Sequence, residues 1–270
     1  GGTPDWIMLW GVFGTSVSEA DGTGMSVGFW DRTTTNQTCI AVRATTAANP
    51  TDQAAITRDT AAGSVLAAAS ETCSVTLTSI GSTQFTITLS ASAAVNTLWG
   101  WTALRGASTQ MFTKNLLMQN PTSTGTAALV SGMSGKPQAY ISLPSRLTTK
   151  NAIQTNDSSG SLGFCSAATN DYSATTYAAA VNTIQDNVSP SVAKTRISVS
   201  NAVLTLDNTG AMDIQATVSS WDSAGVTLNY TNAGASLFYM PVLAFGMTTP
   251  TATYIPRRQK RINFPIYYPR

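Results

Sequence analysis

Residues 74–89 read Ser74-Val75-Thr76-Leu77-Thr78-Ser79-Ile80-Gly81-Ser82-Thr83-Gln84-Phe85-Thr86-Ile87-Thr88-Leu89. Polar and apolar side chains alternate through Thr78, turn-forming residues follow Ile80, and the alternation resumes at Phe85. A period of two places alternate side chains on opposite faces of an extended chain, so this stretch predicts a β-hairpin with one face toward a core. The second half of the chain repeats the device. Ile214-Gln215-Ala216-Thr217-Val218 alternates, Asp222-Ser223-Ala224-Gly225 turns, and Val226-Thr227-Leu228-Asn229-Tyr230 returns.

Beyond the two hairpins, further pairs of signposts recur in the same order. Gly2-Thr3-Pro4-Asp5-Trp6-Ile7-Met8-Leu9 matches Gly135-Lys136-Pro137-Gln138-Ala139-Tyr140-Ile141-Ser142-Leu143, and Ser26-Val27-Gly28-Phe29 matches Ser161-Leu162-Gly163-Phe164. Thr57-Arg58 before Val65-Leu66 corresponds to Thr195-Arg196 before Val203-Leu204, and each copy closes on an apolar stretch ending in glycine, residues 98–106 and 238–246. The pattern predicts an all-β protein of two tandem β-sandwich, jelly-roll-like units related by internal duplication, residues 1–106 and 107–246. Residues 114–133 precede the Pro137 strand, whereas only Gly1-Gly2-Thr3 precede Pro4. The first unit is therefore expected to lack one or two opening strands. A sheet edge left open along residues 4–10 would expose Trp6, Ile7 and Leu9, so these three are expected to pair with a strand of another chain.

Composition agrees with the class. Charged residues make up 10% of the chain, against roughly a quarter in an average globular protein, while β-branched Thr and Val and short-range Gly, Pro, Asn and Asp favour strands. Apolar residues at 43% exclude disorder through low hydrophobicity. No apolar run reaches the ~18 residues of a membrane-spanning helix, and no membrane partner is expected.

Residues 247–270 form an extended C-terminal arm of different character, with Pro250, Pro256, Pro265 and Pro269. Of 15 Lys and Arg residues, five fall in this arm, and all 13 acids precede it. A negative body with a positive arm points to a partner for the arm. Arg257, Arg258, Lys260 and Arg261 are expected to meet an acidic protein surface while Phe264, Tyr267 and Tyr268 bury against it. Packaged DNA ranks second as a partner for the same cations.

Candidate chemistry is sparse. The chain has no histidine, which removes His-based triads, His metal sites and the commonest neutral-pH acid and base. Cys39, Cys73 and Cys165 are scattered, without metal-ligand spacing, and read as reduced thiols, a Cys39–Cys73 bridge staying open as an alternative. Gly22-Thr23-Gly24-Met25-Ser26-Val27-Gly28 has one residue too many for a dinucleotide loop and reads as a turn feeding a strand. Asp31, Asp59, Asp207, Asp213 and Asp222 leave a carboxylate pair open in principle, but turn chemistry accounts for such residues. No catalytic residue, cofactor or metal is assigned, and the expectation is a non-enzymatic protein.

Several motifs carry a resemblance. The second copy contains Gly163-Phe164, Val218-Ser219-Ser220-Trp221-Asp222-Ser223-Ala224-Gly225-Val226-Thr227-Leu228-Asn229-Tyr230 and Leu243-Ala244-Phe245-Gly246. The first contains Thr3-Pro4-Asp5-Trp6-Ile7-Met8-Leu9-Trp10 and Ala103-Leu104-Arg105-Gly106. Together these resemble a β domain that recurs in structural proteins of tailed bacteriophages. The resemblance implies a virion protein assembled in the host cytoplasm, a capsid-decorating or cement subunit bound to copies of itself and to a major capsid or tail protein. The alternatives are a tail fibre or glycan-binding receptor module, and a tail-spike glycosidase.

Overall fold

The computed structural model describes residues 2–14, 24–33, 35–43, 54–67, 70–91, 96–106, 111–155, 157–167, 176–186, 192–207 and 209–247. The arm residues Arg257, Arg258, Lys260, Arg261, Phe264, Tyr267 and Tyr268 lie outside the described residues. The described elements are all strands: β1 (Trp6–Gly14), β2 (Gly24–Asp31), β3 (Gln37–Arg43), β4 (Ala54–Arg58), β5 (Gly63–Ala67), β6 (Ser70–Thr78), β7 (Thr86–Leu89), β8 (Asn96–Leu104), β9 (Met111–Gln119), β10 (Gly125–Val130), β11 (Ala139–Ser142), β12 (Gln154–Thr155), β13 (Asp157–Ala167), β14 (Thr176–Asp186), β15 (Val192–Ser198), β16 (Val203–Leu206), β17 (Met212–Asp222), β18 (Gly225–Asn232) and β19 (Tyr239–Met247).

The two hairpins form as their alternation predicts. β6 pairs with β7 through Leu77 opposite Ile87, and the Gly81 N–H donates to the Gln84 carbonyl (2.8 Å) to close the turn. β17 pairs with β18 from Asp222 opposite Gly225. Cys73, Val75 and Leu77 point inward from β6 and are buried, while Thr76 and Thr78 face outward.

Four sheets result. One sheet of the first unit runs β12-β4-β3-β2-β1-β8 and faces a three-stranded sheet β5-β6-β7. In the second unit β15-β14-β13-β11-β19-β9 faces β10-β18-β17-β16. Ile7, Leu9, Phe13 and Ile56 meet Val65, Leu66, Val75 and Leu77 in the first core. Phe112, Tyr140 and Met240 meet Trp221, Val226 and Leu228 in the second. Each unit is thus a β-sandwich, and burying a side chain such as Leu9 or Leu228 stabilises it by roughly 1.5–3 kcal/mol.

The strand order is the same in both. β4-β3-β2-β1-β8 is followed position for position by β15-β14-β13-β11-β19, and β5-β6-β7 by β16-β17-β18. This connectivity refines the jelly-roll-like expectation, because successive strands lie beside one another and β8 or β19 returns next to the first. Finer detail recurs too: the Ala62 N–H donates to Val75 (2.9 Å) and the Ala202 N–H to Ala216 (2.8 Å).

The two six-stranded sheets also pack against each other through their outer faces, where Trp6, Phe29 and Ile40 meet Leu143 and Leu243. Trp6 stacks on Phe245 with ring centroids 5.9 Å apart. The molecule therefore has four layers. At one edge the second unit reaches across, as β12 pairs with β4 and the Asn151 N–H donates to the Thr57 carbonyl (2.7 Å).

One expectation is overturned. β1 is not an edge strand, since Trp6 pairs with both Asp31 of β2 and Leu104 of β8, and Ile7 and Leu9 are fully buried. The reason is topological: β8 returns from the far end of the unit to occupy the place beside β1. Among the described residues, β9, which lies beside β19, and β10, which lies beside β18, have no counterparts in the first unit. Their places fall next to β8 and β7.

Candidate interaction surface

β8 and β19 hold equivalent positions but different surroundings. β19 has β11 on one side and β9 on the other, and it buries Met240, Val242, Leu243 and Ala244. β8 has β1 on one side, and among the described residues no strand lies on its other side. Leu98 is consequently 68% exposed, Trp101 59% and Leu104 41%. The second sheet repeats the contrast. β18 lies between β17 and β10 and buries Leu228 and Tyr230, whereas β7 ends its sheet and leaves Leu89 46% exposed. An edge of this kind presents unpaired N–H and carbonyl groups as a template for another strand.

Between the two open edges lies a groove of about 620 Å³ whose lining includes Gly81, Gln84, Phe85, Ile87, Trp101 and Arg105. Phe85 meets Trp101 edge-to-face, with centroids 5.3 Å apart and planes at 88°. Trp99 and Ala103, on the same side of β8, pack toward the core of the unit. The groove is the unfilled margin of the first sandwich core.

The opposite face of β8 continues a second apolar patch. Val12 lies opposite Leu98 on β8 and Met25 on β2, and all three are exposed. Trp10 lies across Gly100 and is 42% exposed. Trp6 and Met8, farther along the same face, are covered by the second unit. The patch is thus the uncovered half of the surface that joins the units.

Charged and polar groups serve the structure. Asn115 of β9 is fully buried against the first unit. Its N–H donates to the Asp31 carboxylate (2.9 Å), and its amide donates to the carbonyls of Phe29 (2.9 Å) and Asn36 (3.0 Å). Its side-chain oxygen accepts from the Thr38 hydroxyl (2.6 Å). Asp5 accepts from the Gly106 N–H (2.7 Å), and Arg58 pairs with Glu71 across the first sandwich. Arg146 pairs with Asp213 at 3.1 Å.

The remaining candidate carboxylates are turn and edge groups. Asp59 binds Lys150 (2.5 Å) and Asn151 (2.7 Å). Burial opposes its ionisation, but those two partners outweigh burial and hold the carboxyl below its ordinary range, while Asp59 in turn raises Lys150. Asp207 is likewise opposed by burial and yet lowered by bonds from Thr209 and Ala211. The hydroxyls of Thr227 and Ser220 lower Asp222. Cys39 and Cys73 are buried free thiols, and burial pushes Cys39 up to about 12. Among the described residues no three acidic, Cys or His side chains cluster as metal ligands.

The structure therefore places Trp6, Ile7 and Leu9 inside the fold and brings forward residues that sequence reasoning missed, namely Leu89, Leu98 and Leu104. A signal for them existed: two strands precede the Pro137 strand, and the strands they flank have counterparts in the first unit. No family model, curated protein or solved structure matches the chain.

Proposed function

We propose that this chain is a non-enzymatic structural subunit of a tailed-phage particle, a shell-decorating protein built by duplication of one β-sandwich and bound to further copies of itself and to other virion proteins. The observation that carries the reading is the contrast between its polar and apolar groups. Asp5, Asp31, Asp59, Asp207, Asp213 and Asp222 all hold turns, edges or unit contacts. The surface offers an exposed apolar patch at Trp10, Val12, Met25 and Leu98 instead. Exposed apolar patches on a folded body mark contact surfaces, and the phage-like motifs supply the setting. In this reading the cations Arg257, Arg258, Lys260 and Arg261 meet an acidic neighbour, with DNA as the rival partner.

Locating and counting the chain in purified particles tests the reading. Hundreds of copies on the head are expected for a shell subunit. Its absence from particles would end the proposal, and a small symmetric set at the tail would replace it with a tail role. The half-exposed Trp10 favours one second reading, a glycan-binding tail module in which this ring stacks on a sugar. Loss of host-cell binding on Trp10→Ala, with particle assembly unchanged, would select it.

A further inference from the structure

The strands that complete the second unit come from the segment that follows the last strand of the first. That segment, residues 105–130, supplies β9, which lies along β19, and β10, which lies along β18. By the same order of strands, the segment that follows β19 is residues 248–270, of similar length, and among the described residues no strand occupies the two equivalent edges of the first unit. The point of departure is close. Met247 pairs with Met111, which crowds Gly106 so closely that a Cβ there would lie 2.7 Å from the Met111 Cβ. Gly106 follows Leu104 and Arg105, which line the mouth of the groove.

The sequence of the arm has the required pattern. Thr251-Ala252-Thr253-Tyr254-Ile255 is rich in β-formers, a polar stretch Arg257-Arg258-Gln259-Lys260-Arg261 follows, and Ile262, Phe264, Ile266 and Tyr268 are apolar at every second position. This order of strand, polar link and strand is that of β9, the link 120–124 and β10. Pro265 and Pro269 fall on the other parity, where the N–H of an edge strand would point away from its neighbour, so neither proline removes a ladder bond.

We propose that the C-terminal arm of the same chain completes the first sandwich. Residues 251–255 add antiparallel to β8, and residues 262–268 return along β7 with Ile262, Phe264, Ile266 and Tyr268 over Phe85, Ile87 and Trp101. The two units then exchange their closing strands reciprocally. Attachment at Met247 decides for the same chain over a second copy, because a tethered segment acts at an effective concentration of about millimolar. Arg257, Arg258, Lys260 and Arg261 fall at the connecting turn, where they stay available to an acidic partner.

Hydrogen exchange followed by mass spectrometry on the full chain tests this at several protein concentrations. Peptides covering 251–255, 262–268 and β8 are expected to exchange at least about tenfold more slowly than unstructured chain, equally at every concentration. Arm peptides exchanging as unstructured chain would overturn the proposal. So would protection that appears only as concentration rises, which would assign the groove to a neighbour's arm. The double variant Phe264→Asp/Ile266→Asp provides a second arm of the test that leaves β9 to β19 untouched. It should release the protection of the arm and of β8 while β19 keeps its own, and unchanged arm protection would refute the assigned face. None of these outcomes depends on the chain's place in a particle.

Discussion

Gly163 lies directly beneath the carbonyl oxygen of Ala202: a Cβ at this glycine would stand 2.5 Å from that atom. Gly28 lies in the same way beneath Ala62, at 2.2 Å, so in each unit a glycine in the second strand of the meander lets the facing sheet approach. The obstacle is backbone in both cases and cannot swing aside as a side chain would. Gly28→Ala and Gly163→Ala should each destabilise the fold by about 1–3 kcal/mol through overpacking. Urea denaturation with unchanged slope and a lowered midpoint is the expected result for both.

Asn115 should be the most sensitive polar position at the junction of the units. Asn115→Ala takes the side-chain donor from the carbonyl of Phe29 and the acceptor from the hydroxyl of Thr38. Each buried group left unsatisfied costs about 1–3 kcal/mol. Calorimetry should show a lowered Tm. Asn115→Asp should be no better, since it removes the donor and adds a negative charge near Asp31.

Acidification should weaken the fold in a defined window. Asp59, Asp207 and Asp222 are all held below their ordinary values in the folded chain. Each contribution is complete above the unfolded carboxylate value of roughly 3.9 and is lost as pH falls through the lower folded value. Urea midpoints measured from neutral pH downward should therefore hold to about pH 5 and then decline. Asp222→Asn should give a shallower decline with no change in the neutral-pH secondary structure.

Thiol chemistry offers an independent check on burial. Cys39 and Cys73 are buried, and the Cys39 thiol is pushed up to about 12. A Cys165→Ser chain should show no rapid labelling by an aromatic disulfide reagent at pH 8, and two equivalents once unfolded. A native-state reaction of either thiol would contradict the placement of β3 and β6.

The hairpins were legible because their information is local. Val75, Leu77 and Ile87 sit at alternate positions on either side of a turn, and pairing follows from that spacing alone. The neighbours of β1 were not legible. Trp6-Ile7-Met8-Leu9-Trp10 is apolar on both faces, which signals burial but does not say which strand lies alongside. That information resides in β8, far away in sequence, and in the packing of two sheets against each other. Asn115 was equally hidden, because a single amide in an apolar strand becomes a junction only when the other unit brings Asp31 and Thr38 to it. The aspartates of the turns behaved as their local sequences indicate, with Asp207 accepting from Thr209 and Ala211 in its own loop.

The clasp of β12 on β4 bears on how far such molecules can be strung together. It caps the β4 edge of the first unit's large sheet with a strand of two residues, Gln154 and Thr155, anchored through Asn151 and Lys150. A strand so short offers almost no ladder to a newcomer, which is one of the ways natural sheets blunt an edge. With the arm laid along β8 as proposed above, the opposite edge of the same sheet is closed as well, by a strand of the chain itself. A sheet closed at both edges has no free ladder left to extend, so strand-to-strand growth into an endless ribbon is barred at this sheet.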